Sequence, residues 1–291
     1  MRSAVEISGA LEASPSSKRR WTRLVLPAYT GIVILYLMLP IFVMILFGFN
    51  DTTGRFNFAW QGFTLRWYRE LFAIQDLTTA VRNSLIIAVA STIIATALGT
   101  MIALALARYR FRGKTFFNLV MFTNIAAPEV VVGVSLLALF VTVNVSRGLG
   151  TILIAHVMFN IAYVAITVEA RLAGFDRSLE DAAADLGATP WTAFWKVIFP
   201  LISPGVLAGA LLAFALSIDD YIITSFVAGQ TQMFPTWVFG ASRLGIPPQV
   251  NVMGTLIFVF GALLAVANVL WQRRSARLEG KNLLLLGEVK G

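Results

Sequence analysis

Three acidic residues lie within long apolar stretches of the sequence: Glu129 and the adjacent pair Asp219 and Asp220. A charged side chain in the middle of a bilayer costs roughly 2.5–3.5 kcal/mol on insertion scales, so such residues usually face a pathway or a partner. Ser217 and Tyr221 add hydroxyl groups beside the pair. Carboxylates with aromatic neighbours suit a flexible organic cation such as a diamine, through salt bridges and cation–π contacts. The sequence therefore predicts a cation path along these residues.

A structural role is the alternative for the acidic pair. One acid would pair with an arginine of a partner helix, and the other would cap a break in its own helix. Adjacent residues of a helix point about 100° apart, so Asp219 and Asp220 can face one pathway only where the helix is locally broken. Trp67 leaves a similar choice. It would either contact the cation at the mouth of the path or anchor the chain at the membrane interface.

His156 is the single histidine, and the sequence contains no cysteine. This composition excludes disulfides and leaves little material for a metal site. A lone histidine inside a membrane more often makes a helix–helix hydrogen bond than binds a ligand. A serine protease that uses Ser135 and His156 is disfavoured. The presence of one histidine and of some serine is not enough to indicate a catalytic pair. We therefore expect no catalytic residue and no metal ligand.

The composition is that of a protein in contact with lipid. Of the 291 residues, 58% are hydrophobic and 13% are charged, whereas soluble domains carry about 25% charged residues. The net charge of +8 would suit nucleic acid, but the basic residues flank apolar runs, where they orient a membrane protein. The sequence predicts an integral membrane protein and no nucleic-acid partner.

The apolar runs predict an all-α integral membrane protein with six transmembrane helices, since about 20 apolar residues span a bilayer. The expected spans are 24–49, 84–107, 116–142, 149–169, 203–228 and 253–271. The expected organisation is a tail 1–23, a first spanning helix 24–49, an external segment 50–83 with a short interfacial helix, a core 84–271 that includes a loop 170–202, and a tail 272–291.

The distribution of lysine and arginine predicts the orientation. With the six spans above, 17 of the 23 basic residues fall on one side, in the two tails and in the loops after spans 2 and 4. Because basic residues accumulate on the cytoplasmic side, we expect both termini to be cytoplasmic. The segments 50–83 and 229–252 would then be external, and the glycines and prolines of 229–252 predict an ordered loop there.

The loop between spans 4 and 5 has the pattern of a polar helical hairpin. An apolar face recurs at helical spacing, formed by Leu179, Ala182, Ala183 and Leu186. Gly187 suits the position after the end of the first helix. Thr189 followed by Pro190 suits the start of the second. The hairpin would either lie on the membrane surface or fit a groove in a cytoplasmic protein.

The hairpin resembles the signature loop of the permease subunits of ABC importers, the type I importers that depend on a binding protein. That loop has Glu-Ala-Ala, three residues, Gly, nine residues and Ile-x-Leu-Pro. This sequence has Asp181-Ala182-Ala183, Gly187 and Val197-Ile198-Phe199-Pro200 at the same spacing, with Asp181 in the glutamate position. The resemblance implies that a cytoplasmic coupling-helix hairpin contacts an ATP-hydrolysing subunit through Asp181, Ala182, Ala183 and Gly187, with Glu180 beside them.

The stretch Phe214-x-x-Ser217-Ile-Asp219-Asp220 further resembles the second permease of spermidine/putrescine importers. This implies a bacterial inner-membrane protein that carries putrescine or spermidine inward by alternating access. The implied partners are a second permease in a heterodimer, two cytoplasmic ATPase subunits that use the ATP, and an external substrate-binding protein. No cofactor is expected on this chain. The alternatives are another solute, of the opine or aminophosphonate type, and an ATP-independent secondary transporter.

Overall fold

The structure is a computed structural model that describes residues 18–54, 56–173 and 178–288, and the side chains among them from 25 to 270. Residues 1–17 of the expected N-terminal tail and residues 289–291 of the expected C-terminal tail lie outside this range. The helices are α1 Lys18–Phe47, α2 Arg66–Arg69, α3 Gln75–Arg108, α4 Lys114–Ala126, α5 Glu129–Thr142, α6 Leu149–Leu172, α7 Ser178–Asp185, α8 Pro190–Ala193, α9 Phe199–Asp219, α10 Ile222–Val227, α11 Phe234–Ser242 and α12 Pro248–Glu288. A π-helical turn, Phe194–Ile198, joins α8 to α9.

Helices α3, α6 and α9 pack against one another and form the centre of the bundle. Small residues allow this close approach, as is usual between helices in membranes. A Cβ atom added at Gly99 of α3 would lie 2.8 Å from the side chain of Val164 on α6, so only glycine fits there. Val164 itself is fully buried. The centre of the bundle is therefore built by backbone contact as much as by large side chains.

Buried apolar residues fill both ends of this bundle. One cluster lies towards α7 and includes Ala103, Val168 and Ile202. A second cluster joins α3, α5, α6 and α10 at the opposite end and includes Ile87, Phe159 and Val227. We call the end that carries α7 and α8 the hairpin end.

Within the residues that the structure describes, five helical stretches are long and apolar enough to cross a membrane, and α4 with α5 would make a sixth. The five are Val25–Phe47, Gln75–Arg108, Leu149–Leu172, Pro190–Asp219 and Pro248–Leu270. Together with the α4–α5 pair, these stretches overlap the six expected spans. The observed helices extend beyond several expected ends: α3 begins within the expected external segment 50–83, and α12 continues into the expected C-terminal tail.

The third expected span, 116–142, is not one continuous helix. Helices α4 and α5 meet at a bend of 107°. The cause is Pro128, because the residue before a proline is sterically biased towards extended backbone, and Ala127 has ψ of 135°. Glu129 consequently lies in the first turn of α5 and not in the middle of a helix.

The fifth expected span, 203–228, is also interrupted. Helix α9 ends at Asp219, and α10 begins at Ile222. Asp220 between them has extended backbone, with φ of −63° and ψ of 112°. No proline or glycine lies at this break, so the usual sequence signal is missing.

The expectation of a loop over 229–252 is wrong. Helix α11 occupies Phe234–Ser242, and α12 begins at Pro248. Pro235 and Pro248 lie in the first turns of these helices, where a proline costs no hydrogen bond. The prolines therefore begin helices here and do not interrupt them.

The chain after α1 folds around one asparagine. The side chain of Asn50 is fully buried and donates to the carbonyl of Ala59 at 2.7 Å, while its Oδ1 accepts from the amide of Gln61 at 2.6 Å. Close by, the rings of Phe49 and Tyr68 stack with centres 4.9 Å apart. Burial raises the pKa of the Tyr68 phenol. This cap closes the end of the bundle opposite the hairpin end.

Candidate functional site

A polar cluster occupies the break between α9 and α10. The carboxylate of Asp220 accepts hydrogen bonds from the backbone amides of Ile223 at 3.2 Å and Thr224 at 2.8 Å. It also accepts from the hydroxyl of Thr224 at 2.7 Å. Asp220 thus caps α10, which matches the structural alternative for one acid of the pair.

His156 of α6 joins this cluster to the rest of the bundle. Its Nδ1 lies 2.7 Å from Oγ of Ser217, and its Nε2 lies 2.9 Å from Oγ1 of Thr224 and 3.2 Å from Oδ2 of Asp220. Ser91 of α3 donates to Ser217 at 3.0 Å. The expectation of a helix–helix hydrogen bond by His156 is confirmed.

The serine, histidine and carboxylate of this cluster are the residue types of hydrolytic triads. Ser217 and His156 are each 3% exposed. A substrate cannot reach a serine that is packed in the centre of the bundle. The cluster is therefore a structural network.

Asp219 has a different environment from its neighbour. Its side chain is exposed and lines a cavity of about 750 Å³ that is bounded by α1, α9, α11 and α12. The other lining residues are mostly apolar or aromatic, among them Met44, Phe234, Val238, Phe239 and Phe258. Glu129 is exposed and close enough to interact electrostatically with Asp219. The structure thus places Asp219 at the cavity, leaves Glu129 outside its lining but within electrostatic range of Asp219, and buries Asp220 in a separate polar cluster.

A second cavity, of about 620 Å³, is more polar. Its lining includes Gln230, Gln232, Thr236 and Trp237. Tyr221 and Phe239 line both cavities, and their ring centres are 4.6 Å apart. We call Tyr221 and Phe239 the aromatic pair.

Arg243 lies over the ring of Phe239, with its guanidinium carbon 5.0 Å from the ring centre. The face of Phe239 therefore already contacts one cation of the chain itself. Tyr221 was identifiable from the sequence, but Phe239 and Arg243 were not, because their segment has the glycines and prolines typical of a loop. The run of apolar residues in Phe234–Ser242 was the available signal.

Trp67 is placed apart from both cavities. Its indole N–H donates to the carbonyl of Asn50 at 2.7 Å, and the guanidinium of Arg66 lies 4.2 Å from the centre of its ring. It also packs against the buried cluster that contains Leu71 and Leu77. In this structure Trp67 holds α2 against the cap at the end of α1.

The hairpin consists of two short helices around Gly187. The amide of Gly187 donates to the carbonyl of Ala184, and the amide of Ala188 donates to that of Ala183, both at 2.9 Å. Gly187 has φ of +82°. These features define a Schellman motif at the end of α7. Thr189 then caps α8 by accepting from the amide of Thr192, with Pro190 as the first helical residue.

Large apolar side chains protrude from this hairpin. Leu186 is 89% exposed and Trp191 is 71% exposed. Asp181 and Ala182 are also exposed, whereas Glu180 and Ala183 are half-buried. Exposed apolar groups rimmed by charged residues are typical of interaction sites.

Glu180 forms an ion pair with Arg108, the last residue of α3. Both side chains are partly buried, with exposures of 36% and 27%. The pair joins α7 directly to a central helix of the bundle. The contact carries no signal in the sequence, because 72 residues separate the two partners.

A bundle of apolar membrane-length helices, with an intramembrane carboxylate at a cavity and an exposed hairpin at one end, defines a multi-pass membrane transport protein. Residues 95–278 match the model of the family described as binding-protein-dependent transport system inner membrane component. The chain belongs to this family.

Two relatives have names that concern polyamines. The spermidine/putrescine transport system permease protein PotC of Escherichia coli (strain K12) is 38% identical over 252 residues, which cover 86% of this chain and 95% of PotC. The putrescine transport system permease protein PotI of the same strain is 39% identical over 244 residues, which cover 81% of this chain and 85% of PotI.

A solved structure shares the fold. It is a bacterial alginate ABC transporter in complex with an alginate pentasaccharide-bound periplasmic protein. The matched chain has a TM-score of 0.65 and 14% identity, with 88% of this chain and 96% of that chain covered. Together with the family, this confirms the expected all-α ABC importer permease. The chain is a transport subunit of the inner membrane and not an enzyme.

Proposed function

We propose that the chain is the permease subunit through which an ATP-driven importer moves a polyamine, putrescine or spermidine, into the cytoplasm. The observation that carries the proposal is Asp219, an exposed carboxylate at a cavity with aromatic and apolar walls. A polyamine combines ammonium groups with apolar methylene segments, so both parts of it find partners there. The names of the relatives PotC and PotI support the same substrate.

The two cavities suggest the order of contacts. A polyamine would first occupy the polar cavity beside Gln230 and Gln232, where amide and hydroxyl groups can replace part of its water shell. It would then pass the aromatic pair, whose ring faces attract a cation. Asp219, with Glu129 nearby, would receive an ammonium group last. Opines and aminophosphonates carry anionic groups that two carboxylates repel, which disfavours that alternative.

A second permease would complete the pathway. Asp219 and Glu129 are exposed in the single chain, yet a carboxylate facing lipid would be costly. Another permease placed against this surface would enclose both residues. We therefore assign the partner to the exposed surface around α5 and the end of α9, as a pseudo-symmetric heterodimer.

The hairpin would be the contact for a cytoplasmic ATPase. Asp181, Ala182 and Gly187 are accessible at its surface, and Leu186 offers an apolar side chain to a groove. Glu180 would instead hold α7 on α3 through Arg108. ATP-driven closure of two ATPase subunits would move α7, and the movement would reach the central helices. Both termini and the hairpin would be cytoplasmic, and a substrate-binding protein would dock at the opposite end.

Uptake of radiolabelled putrescine and spermidine by the assembled complex in proteoliposomes tests the proposal. We expect Asp219→Asn to abolish uptake, because the amide cannot neutralise an ammonium group. Asp219→Glu should retain part of it. The matched control is Glu70→Gln, which removes an exposed carboxylate outside the cavities. Full uptake by Asp219→Asn, or uptake by the purified permease without an ATPase, would contradict the proposal.

A further inference from the structure

We infer that His156 is a positioning residue that holds the break between α9 and α10 and thereby orients Asp219 and Tyr221 towards the cavities. It acts through a buried group that we call the clasp: His156, Ser217, Asp220 and Thr224. In this arrangement Asp220 belongs to the clasp and does not bind the cation. The inference rests on the proposed function only in taking Asp219 as the cation contact.

The hydrogen bonds of the clasp form one directional series. Ser91 donates to Ser217, which lies in hydrogen-bonding contact with Nδ1 of His156 at 2.7 Å. If Ser217 donates to Nδ1, the proton of His156 resides on Nε2, which faces Thr224 and Asp220. Thr224 in turn donates to Oδ2 of Asp220. Every donor in the series is then used, and the series ends on a carboxylate.

The clasp joins α6, α9 and α10, and Ser91 connects it to α3. Ser91 lies on α3, His156 on α6, Ser217 on α9 and Thr224 on α10. All four are at most 3% exposed. A complete polar network in a low-dielectric interior rigidifies its surroundings, whereas the loss of one member leaves a costly unpaired group. The relative positions of α9 and α10 are thus fixed by polar contacts and not by packing alone.

The break itself determines which side chains face the cavities. Asp220 has extended backbone, and its carboxylate turns inward to the first turn of α10. Asp219, one residue earlier, remains exposed at the end of α9. Tyr221, one residue later, packs against Phe239 with the two rings tilted by 35°. The clasp fixes the residue between these two, so it controls the direction of both.

Asp220 is already satisfied by protein groups. It accepts from two amides and a hydroxyl and lies 3.2 Å from Nε2 of His156. Its side chain is 7% exposed. A cation could reach it only after these contacts were broken. The two adjacent acids therefore have different roles: Asp219 faces the cavity, and Asp220 belongs to the clasp.

A matched pair of substitutions at His156 tests the inference in the assembled complex. The terminal amide of glutamine can reach the position of Nε2, so His156→Gln keeps the contact with Thr224 and Asp220. The amide of asparagine reaches only the position of Nδ1, so His156→Asn keeps the contact with Ser217 alone. We expect His156→Gln to hold the apparent KM for putrescine uptake within about threefold of wild type, and His156→Asn to raise it about tenfold, as the loss of a buried bond to a charged group would.

The amount of assembled complex is measured in parallel. A higher apparent KM for His156→Asn at an unchanged amount of complex supports the positioning role. An unchanged apparent KM, or the same KM for both variants, overturns it. If His156→Asn does not assemble, Thr224→Ser and Thr224→Val provide the same comparison, because serine keeps the hydroxyl and valine keeps only the shape. Equal KM values for those two variants would also overturn the inference.

The clasp can be tested separately from the cation contact. Thermal midpoints of the purified complex are measured for His156→Asn, Asp220→Asn and the double variant. We expect the double variant to unfold at nearly the same temperature as Asp220→Asn, because both substitutions remove the same interaction, the contact between His156 and Asp220. Additive shifts would refute the clasp. Normal uptake by Asp219→Asn would instead refute the proposed function and leave this result intact.

Discussion

Asp219 and Asp220 are chemically identical neighbours, but their different surroundings give them different roles. Asp220 is covered and accepts hydrogen bonds from α10, whereas Asp219 is exposed at an apolar and aromatic cavity. The interruption of the helix between α9 and α10 makes this possible, because a continuous helix would separate the two side chains by only about 100°. Residue identity alone does not distinguish the two acids.

Substitution of Asp220 should therefore lower the thermal stability of the complex more than substitution of Asp219. Asp220→Asn places an amide N–H₂ group against the donors of Thr224 and His156, so we expect the thermal midpoint of the purified complex to fall by at least about 5 °C. Asp219→Asn changes an exposed group and should shift the midpoint by no more than roughly 2 °C. Differential scanning fluorimetry of both variants in one detergent checks this. Equal shifts would show that Asp220 has no special structural role.

Much of this site could be predicted from the types of residue, and some of it could not. Acids and a histidine inside apolar runs are conspicuous because a bilayer penalises them, so Glu129, Asp219 and His156 were identifiable. Phe239 was not, because its segment was expected to be a loop, and within the apolar run Phe234–Ser242 no single aromatic residue stands out. The partner of Glu180 was hidden for another reason, because Arg108 becomes its neighbour only through the packing of α3 beside α7.

At the level of helices, the positions of the acidic residues depend more on the breaks in the helices than on the spans. Each of the six expected spans overlaps an observed apolar stretch, because length and hydrophobicity determine roughly where spans fall. The bend at Pro128 follows from proline stereochemistry and could have been predicted. The break at Asp220 was one of two alternatives from the sequence, because it depends on His156 of α6 as well as on the local hydrogen bonds of Thr224. Both breaks place an acidic residue at a helix end.

The end of α7 offers a test at the same scale. A left-handed backbone conformation costs a residue other than glycine roughly 1–2 kcal/mol, so Gly187→Ala should loosen the Schellman motif that ends α7. We expect weaker retention of the ATPase on copurification, by about fivefold or more. Gly187→Asn should retain more of it, because asparagine tolerates this conformation better.

The matched control for this test is Gly150→Ala. A Cβ at Gly150 meets no atom within 4 Å, and the same is true of Gly187. Of these two glycines only Gly187 has a positive φ, so the comparison isolates backbone conformation from packing. Retention of the ATPase at the wild-type level by Gly187→Ala would show that the end of α7 does not determine docking.

For the whole molecule, the exposed apolar surface indicates how much of it is completed by other components. The apolar span of α1, Val25–Phe47, has no buried residue in its most apolar stretch and contacts α12. Side chains such as Leu26 and Tyr36 are 69% and 74% exposed. Lipid or another subunit must cover this surface, since apolar groups of this size are not left in water. In the membrane this surface is therefore covered by lipid, by another subunit or by both.

The orientation of the chain in the membrane can be measured directly, because the sequence contains no cysteine. Ala184 on α7 and Ser146 between α5 and α6 are both exposed and lie at opposite ends of the bundle. We expect Ala184→Cys to react with a membrane-impermeant maleimide only in inside-out vesicles, since the lysine and arginine distribution predicts that the hairpin is cytoplasmic. Ser146→Cys should react only in right-side-out vesicles. Adding the ATPase subunit should protect Ala184→Cys and leave Ser146→Cys unchanged. Labelling of both positions from one side would contradict the six-span topology, and the reverse pattern would place the hairpin where no cytoplasmic ATPase could reach it.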